Sequence, residues 1–102
     1  RTFHEQPAMA HIISHFWPGA TEEQYWEESK VVHPDGKLPQ GNLYFAAGAA
    51  DGGVLVVSIW DSEESYLNFA NNVLLPKIDA PGGFEGRPEG WSAPSFDLKI
   101  SN

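Results

Sequence analysis

Val54-Leu55-Val56-Val57-Ser58-Ile59-Trp60 runs straight into Asp61-Ser62-Glu63-Glu64-Ser65. The first stretch is almost wholly apolar and of strand length, which predicts a central strand buried on both faces. The second is a helix start. Asp61 or Ser62 caps it, and Glu63 and Glu64 bring negative charge to the positive end of the helix dipole. Upstream, His15-Phe16-Trp17-Pro18-Gly19-Ala20-Thr21 repeats the pattern: a strand end, a breaker, then Thr21 as cap with Glu22 and Glu23 in the first turn.

Working outward from these two passages, residues 9–17 form the first strand. Ala10, Ile12, Ser14 and Phe16 lie on one face, and His11, Ile13, His15 and Trp17 on the other. The first helix runs to about His33, with Tyr25, Trp26, Ser29, Val32 and His33 as its inner stripe, and Pro34-Asp35-Gly36 ends it. Asn42 to Ala47 is the second strand, and Gly48 to Gly53 turns the hairpin. Tyr66, Phe69, Ala70, Val73 and Leu74 form the apolar stripe of the second helix, which Pro76 ends or kinks near Leu75. Residues 79–94 hold four Gly and three Pro, so a long loop is expected there, a functional suspect by its length. Ser95 to Ile100 alternates as a last strand, with Phe96, Leu98 and Ile100 on one face. The order βαββαβ is the split plan of a ferredoxin-like α+β fold: a four-stranded antiparallel sheet with two helices on one face.

Composition narrows the function. At 102 residues the chain is one domain. Residues 1–8 read as an extension or tag remnant before Met9, and residues 9–102 as the domain. With 14 acidic against 6 scattered basic residues the net charge is −8, which argues against nucleic acid and anionic membrane surfaces. There is no cysteine, so thiolate catalysis, disulfides and Cys-ligated metals are excluded. No apolar run is long enough to span a membrane, and residues 1–8 do not read as a secretory signal, lacking an apolar core and a small-residue cleavage site; a cytoplasmic location is expected.

The face of the sheet away from the helices carries apolar groups in either register. A lone domain would leave that patch exposed, so a homodimer packed sheet against sheet is expected. A small-molecule cavity belongs between the helices and the sheet. His15, at the end of the first strand, is the first candidate base, with a structural histidine as the equal alternative. His33 closes the first helix, where an imidazolium gains ~0.3–1 kcal/mol from the dipole; a place in the cleft is the second reading. His11 shares a strand face with His15 but lies ~13 Å along it, too far for one metal ion, and no third ligand appears. Tyr25, Trp26, Tyr44, Trp60, Tyr66, Phe69 and Trp91 are the rings that could shape an aromatic pocket. Core packing is the stronger reading for Trp60 and Phe69. Trp91 is a lid or dimer contact in the long loop. Glu22, Glu23, Glu27, Glu28, Glu63 and Glu64 read as solvated helix faces.

Over roughly residues 9–100 the chain resembles the dimeric α/β-barrel superfamily, in particular the antibiotic-biosynthesis-monooxygenase-like proteins of small actinomycete type. The elements that carry the resemblance are His15 to Thr21, Tyr25, His33-Pro34, Gly48, and Trp60-Asp61-Ser62-Glu63-Glu64. The resemblance implies a cofactor-independent monooxygenase acting on an aromatic or polyketide-like substrate, whose carbanion reacts with dioxygen. His15 would be the base, with Tyr25 and His33 as hydrogen-bonding partners. A non-catalytic homodimeric ligand-binding or assembly module is the alternative. Haem binding ranks lower. The Asn, Trp and His on which haem-degrading relatives rely fall at His15, Phe69 and Asp79, and none matches.

Overall fold

Local hydrogen bonds begin each helix where the sequence supplies a cap. The computed structural model describes residues 9–101, so the expected extension at residues 1–8 lies outside the described residues. Strand β1 (His11–Pro18) leads into α1 (Glu22–Val32). Thr21 Oγ1 accepts the Gln24 amide at 3.2 Å, and Gln24 Oε1 accepts the Thr21 amide at 2.9 Å, a reciprocal capping box. The hairpin β2 (Asn42–Ala50) and β3 (Gly53–Trp60) follows. It is tighter than expected, because β2 continues to Ala50 and only Asp51-Gly52 turn, with Gly52 at φ 86°. Helix α2 (Glu63–Phe69) is capped by Ser62, whose Oγ accepts the Ser65 amide at 3.1 Å.

After α2 the chain widens into a π-helical turn, Ala70–Leu74, and then a short α3, Leu75–Lys77. The Leu75 amide donates to the Ala70 carbonyl, one residue further back than in an α-helix. Pro76 explains this. It has no N–H to offer, and its ring would crowd the preceding turn, so the wider turn lets the helix run past it.

The sheet order is β2-β3-β1-β4, with every neighbouring pair antiparallel. This is the expected ferredoxin-like α+β fold. The last strand, however, is β4 (Glu89–Pro94), inside the stretch expected to be loop. The alternation from Ser95 to Ile100 forms no strand, and Phe96 is 95 % exposed. β4 pairs only with β1, and an edge strand tolerates the Gly and Pro that made this stretch look irregular. Gly90 has a specific reason: a Cβ there would lie 2.9 Å from Cδ2 of His15.

Register separates two faces. His11, Ile13, His15 and Trp17 of β1 lie opposite Trp60, Ser58, Val56 and Val54 of β3 and face the helices. Ile13, Trp17, Val54 and Trp60 are buried there. Ile12, Phe16, Leu55, Val57, Ile59 and Tyr44 share the opposite face. On α1 the inner stripe is Tyr25, Glu28, Ser29 and Val32, at i, i+3, i+4 and i+7. Trp26 is therefore not on it. It is 54 % exposed and its Nε1 donates to Glu22 Oε2 at 2.9 Å, whereas Glu28, expected to be solvated, is 5 % exposed. Among the described residues no helix is long and apolar enough to cross a membrane.

Candidate functional site

The inner face of the sheet, α1, α2 and the π-helical turn enclose a cavity of about 80 Å³. Its walls are mostly aromatic and aliphatic. At one end Phe84, from the connection between α3 and β4, stacks on Trp17 with ring centres 4.5 Å apart and lies 6.3 Å from Tyr25. Its backbone is tied down: the Phe84 amide donates to Glu28 Oε1 at 3.2 Å. In the middle stand His15 and Tyr66, 6.4 Å apart. At the far end His33 lies flat on Phe69 at 5.8 Å and edge-on to Phe45 at 5.2 Å, with Trp60 and Asn42 beside them.

Burial sets the protonation of these groups. It pushes the imidazole of His15 below the ordinary histidine value. It does the same to His33, opposed by the backbone of Lys37 and the charge of Asp35. Both rings are thus neutral at pH 7 and able to accept a proton. Burial raises Tyr66, and raises Tyr25 against the opposing effect of the Ser29 hydroxyl, so both phenols stay protonated as donors. Burial also raises the carboxyl of Glu28; the Phe84 amide opposes the shift and nearby Asp79 reinforces it.

The residues expected from sequence divide cleanly. His15, Tyr25, His33, Trp60, Tyr66 and Phe69 all line this cavity. Tyr44 does not: it pairs with Ile59 on the opposite face and is exposed. Trp91 does not either. It sits on β4, exposed, opposite Ser14, and borders a shallow groove with His11 and Glu63. His11 Nε2 is 3.8 Å from Glu63 Oε2, and among the described residues no cluster of three or more His, Asp or Glu could hold a metal ion.

Glu28, Asn42 and Phe84 are among the cavity residues that were not expected. Glu28 had a usable signal, since it lies three residues after Tyr25 and four before Val32. Asn42, at the entry to β2, and Phe84, in a Gly-rich connection, had none in the local pattern.

No family model and no curated protein matches the sequence. Solved structures do. Its fold is shared with a monooxygenase. That protein, from the gene ActVA-Orf6 of Streptomyces coelicolor and solved with the ligand nanaomycin D, superposes with a TM-score of 0.60 at 16 % identity. The match covers 93 % of this chain and 94 % of that one. A conserved protein from Methanosarcina mazei Go1 superposes with a TM-score of 0.58 at 8 % identity, over 84 % of this chain and 92 % of that one. At such identities the likeness is one of fold, and function has to be argued from the site.

Proposed function

We propose that this chain is a cofactor-independent monooxygenase of the antibiotic-biosynthesis type, taking an aromatic or polyketide-like substrate and working as a homodimer. A place among the small actinomycete-type members of that superfamily belongs to the same reading. The observation that carries it is the position of His15: a neutral imidazole in the middle of an aromatic-walled cavity, facing Tyr66. Such a ring takes a proton from a phenol or an activated C–H, while Tyr25 and Tyr66 donate hydrogen bonds to the oxygen that becomes anionic. The electron-rich anion then reduces dioxygen. One oxygen atom enters the ring, the other leaves as water with two protons, and a phenol becomes a quinone without an added reductant.

Size sets a condition on this reading. A cavity of about 80 Å³ is smaller than the ~150 Å³ that accommodates benzene in an engineered core. A fused-ring substrate therefore enters by displacing Phe84, whose connection carries Gly82 at φ 77° and Gly86 at φ 76° on either side. The homodimer is supported by the outer sheet face, where Ile12, Leu55, Val57 and Tyr44 are exposed together.

Oxygen uptake with anthrones and polycyclic phenols tests the proposal. The expected result is uptake by the parent protein and at least ~100-fold less by His15→Ala, the range a general base contributes, with ligand binding retained. Uptake unchanged in His15→Ala refutes the assignment of the base. Ligand binding without any uptake favours a non-catalytic ligand-binding module.

A further inference from the structure

The cavity has a neighbour on the far side of His15. A groove of about 170 Å³ runs between α2 and β4, and Ile13, His15 and Tyr66 line both it and the cavity. His15 and Tyr66 are half-buried, so the partition between the two spaces is made of side chains with surface to offer. The groove is open to solvent along Leu67 and Ser92, both exposed, and has room for several water molecules. Its titratable groups are His11, Glu63 and Tyr66 beside His15 itself. Glu63 stands exposed at the rim, its Oε2 3.8 Å from His11 Nε2.

The strand register decides how the imidazole meets this groove. Gly90 and Ser92 of β4 lie opposite His15 and Ile13 of β1, on the helix side of the sheet. A Cβ at Gly90 would lie 2.9 Å from His15 Cδ2 and 3.3 Å from Nε2, with the Ser14 carbonyl oxygen next at 3.7 Å. The ring therefore presents its Cδ2–Nε2 edge to β4, at a position without a side chain. Among the described residues β4 pairs only with β1, so no further strand closes the groove. The proposed sheet-to-sheet interface is on the other face and leaves it open.

We propose that His15 is open on two sides: it takes the substrate proton from the cavity and exchanges that proton with water in the groove between α2 and β4, along the edge that Gly90 leaves uncovered. The inference rests on the reading of His15 as the base. As the C–H or O–H bond of the substrate breaks, an N–H bond forms on the imidazole. The imidazolium then gives its proton to a groove water and returns to the neutral ring. Burial, which lowers the pKa of His15, favours that release. The overall balance is unchanged, because the departing oxygen atom still collects two protons. A base sealed inside the cavity could return its proton only to the anion it had made. Exchange with solvent prevents that return and leaves the anion for dioxygen.

Carbethoxylation of the full chain by diethyl pyrocarbonate at pH 7, located by peptide mass spectrometry, tests the opening. It is run with and without saturating 1-naphthol, whose binding is measured by isothermal titration. The expected result is modification of His15 in the parent that persists with the ligand bound. Ser92→Phe, which sets a ring in the groove, should lose that modification, and so should Gly90→Ala; Ser92→Phe decides the matter should Gly90→Ala not fold. The exchange itself is read without oxygen. In deuterated buffer the parent should replace the C10 hydrogens of anthrone faster than buffer alone, and Ser92→Phe should bind anthrone and lose that acceleration. Protection of His15 by 1-naphthol, or unchanged modification in both variants, overturns the opening and leaves a base reached from the cavity alone. Persistent modification with no acceleration of exchange in the parent overturns His15 as the base, and the exchange step with it. Failure of 1-naphthol and anthrone to bind overturns the aromatic pocket and the inference together.

Discussion

The two faces of the one sheet are built from similar apolar residues and are prepared for different things. The inner face sets Ile13, Trp17, Val54 and Trp60 among His15, Ser58 and Asn42. The outer face sets Ile12, Phe16, Leu55, Val57 and Ile59 together, with Ser14 as the polar exception on β1. Apolar area by itself is satisfied by any complementary apolar surface, so the outer face suits association. An apolar wall interrupted by polar atoms held in fixed orientations suits recognition of one chemical group. The contrast can be broken experimentally at either face.

The largest effect is expected at Trp60. It is 2 % exposed, and its Nε1 donates to Ser58 Oγ at 2.9 Å. Trp60→Ala should cost ~3–5 kcal/mol in urea unfolding, a large share of the stability of a domain this small. Tyr44→Ala, one strand away on the other face, should cost the unassociated chain less than ~1 kcal/mol. Comparable losses at both positions would mean that the two faces are equally part of the folding core.

A second prediction concerns association. Val57 sits near the centre of the outer face, between Ser14 of β1 and Ala46 of β2. Val57→Glu puts a charge where the proposed interface excludes water. Sedimentation equilibrium should show a dimer for the parent and a monomer for the variant, with the circular dichroism unchanged. A parent protein that is monomeric at all concentrations removes the interface and leaves the outer face without its proposed use.

How far the sequence can be read differs between regions for the same kind of reason. The β1–α1 and β3–α2 passages were legible because caps and apolar runs act within a few residues. Thr21 and Ser62 cap as their local chemistry predicts. β4 was illegible because an edge strand with one partner needs no β-branched pattern, and its register with β1 puts Gly90 opposite His15, where a Cβ would lie 2.9 Å from the imidazole. The alternation at Phe96, Leu98 and Ile100 misled because no neighbouring strand is there to receive it. Within the site, His15, Tyr25 and His33 were found through their places on elements. Phe84 and Asn42 reach the cavity through tertiary contacts that no periodicity encodes. Helical spacing by itself admits Trp26, three residues before Ser29 and seven before His33, and passes over the charged Glu28; the structure turns the helix so that Glu28 shares the stripe with Tyr25, Ser29 and Val32.

Glu28 carries the smallest and most diagnostic of the predictions, because it is where the inner face accepts a cost. Its carboxyl is held above the usual glutamate value chiefly by burial. A folded-state pKa raised over the unfolded one means that the folded chain binds the proton more tightly. The contribution to stability is then fully present below the unfolded pKa, near 4.3, and is lost as pH rises through the higher folded value. Glu28→Gln keeps the acceptor for the Phe84 amide and removes the charge. The variant should unfold within about 1 kcal/mol of the parent at acid pH and be the more stable of the two at pH 8, by an amount of order 1 kcal/mol. The parent curve should fall with pH where the variant curve stays flatter. Because Glu28 holds the backbone of Phe84, the same substitution should leave that ring in place, seen as unchanged ring-current shifts of the Trp17 and Phe84 protons by NMR. A variant less stable than the parent at pH 8 would mean that the ionised carboxylate stabilises Phe84 more than its burial costs, and the connection over the cavity would then be held by charge.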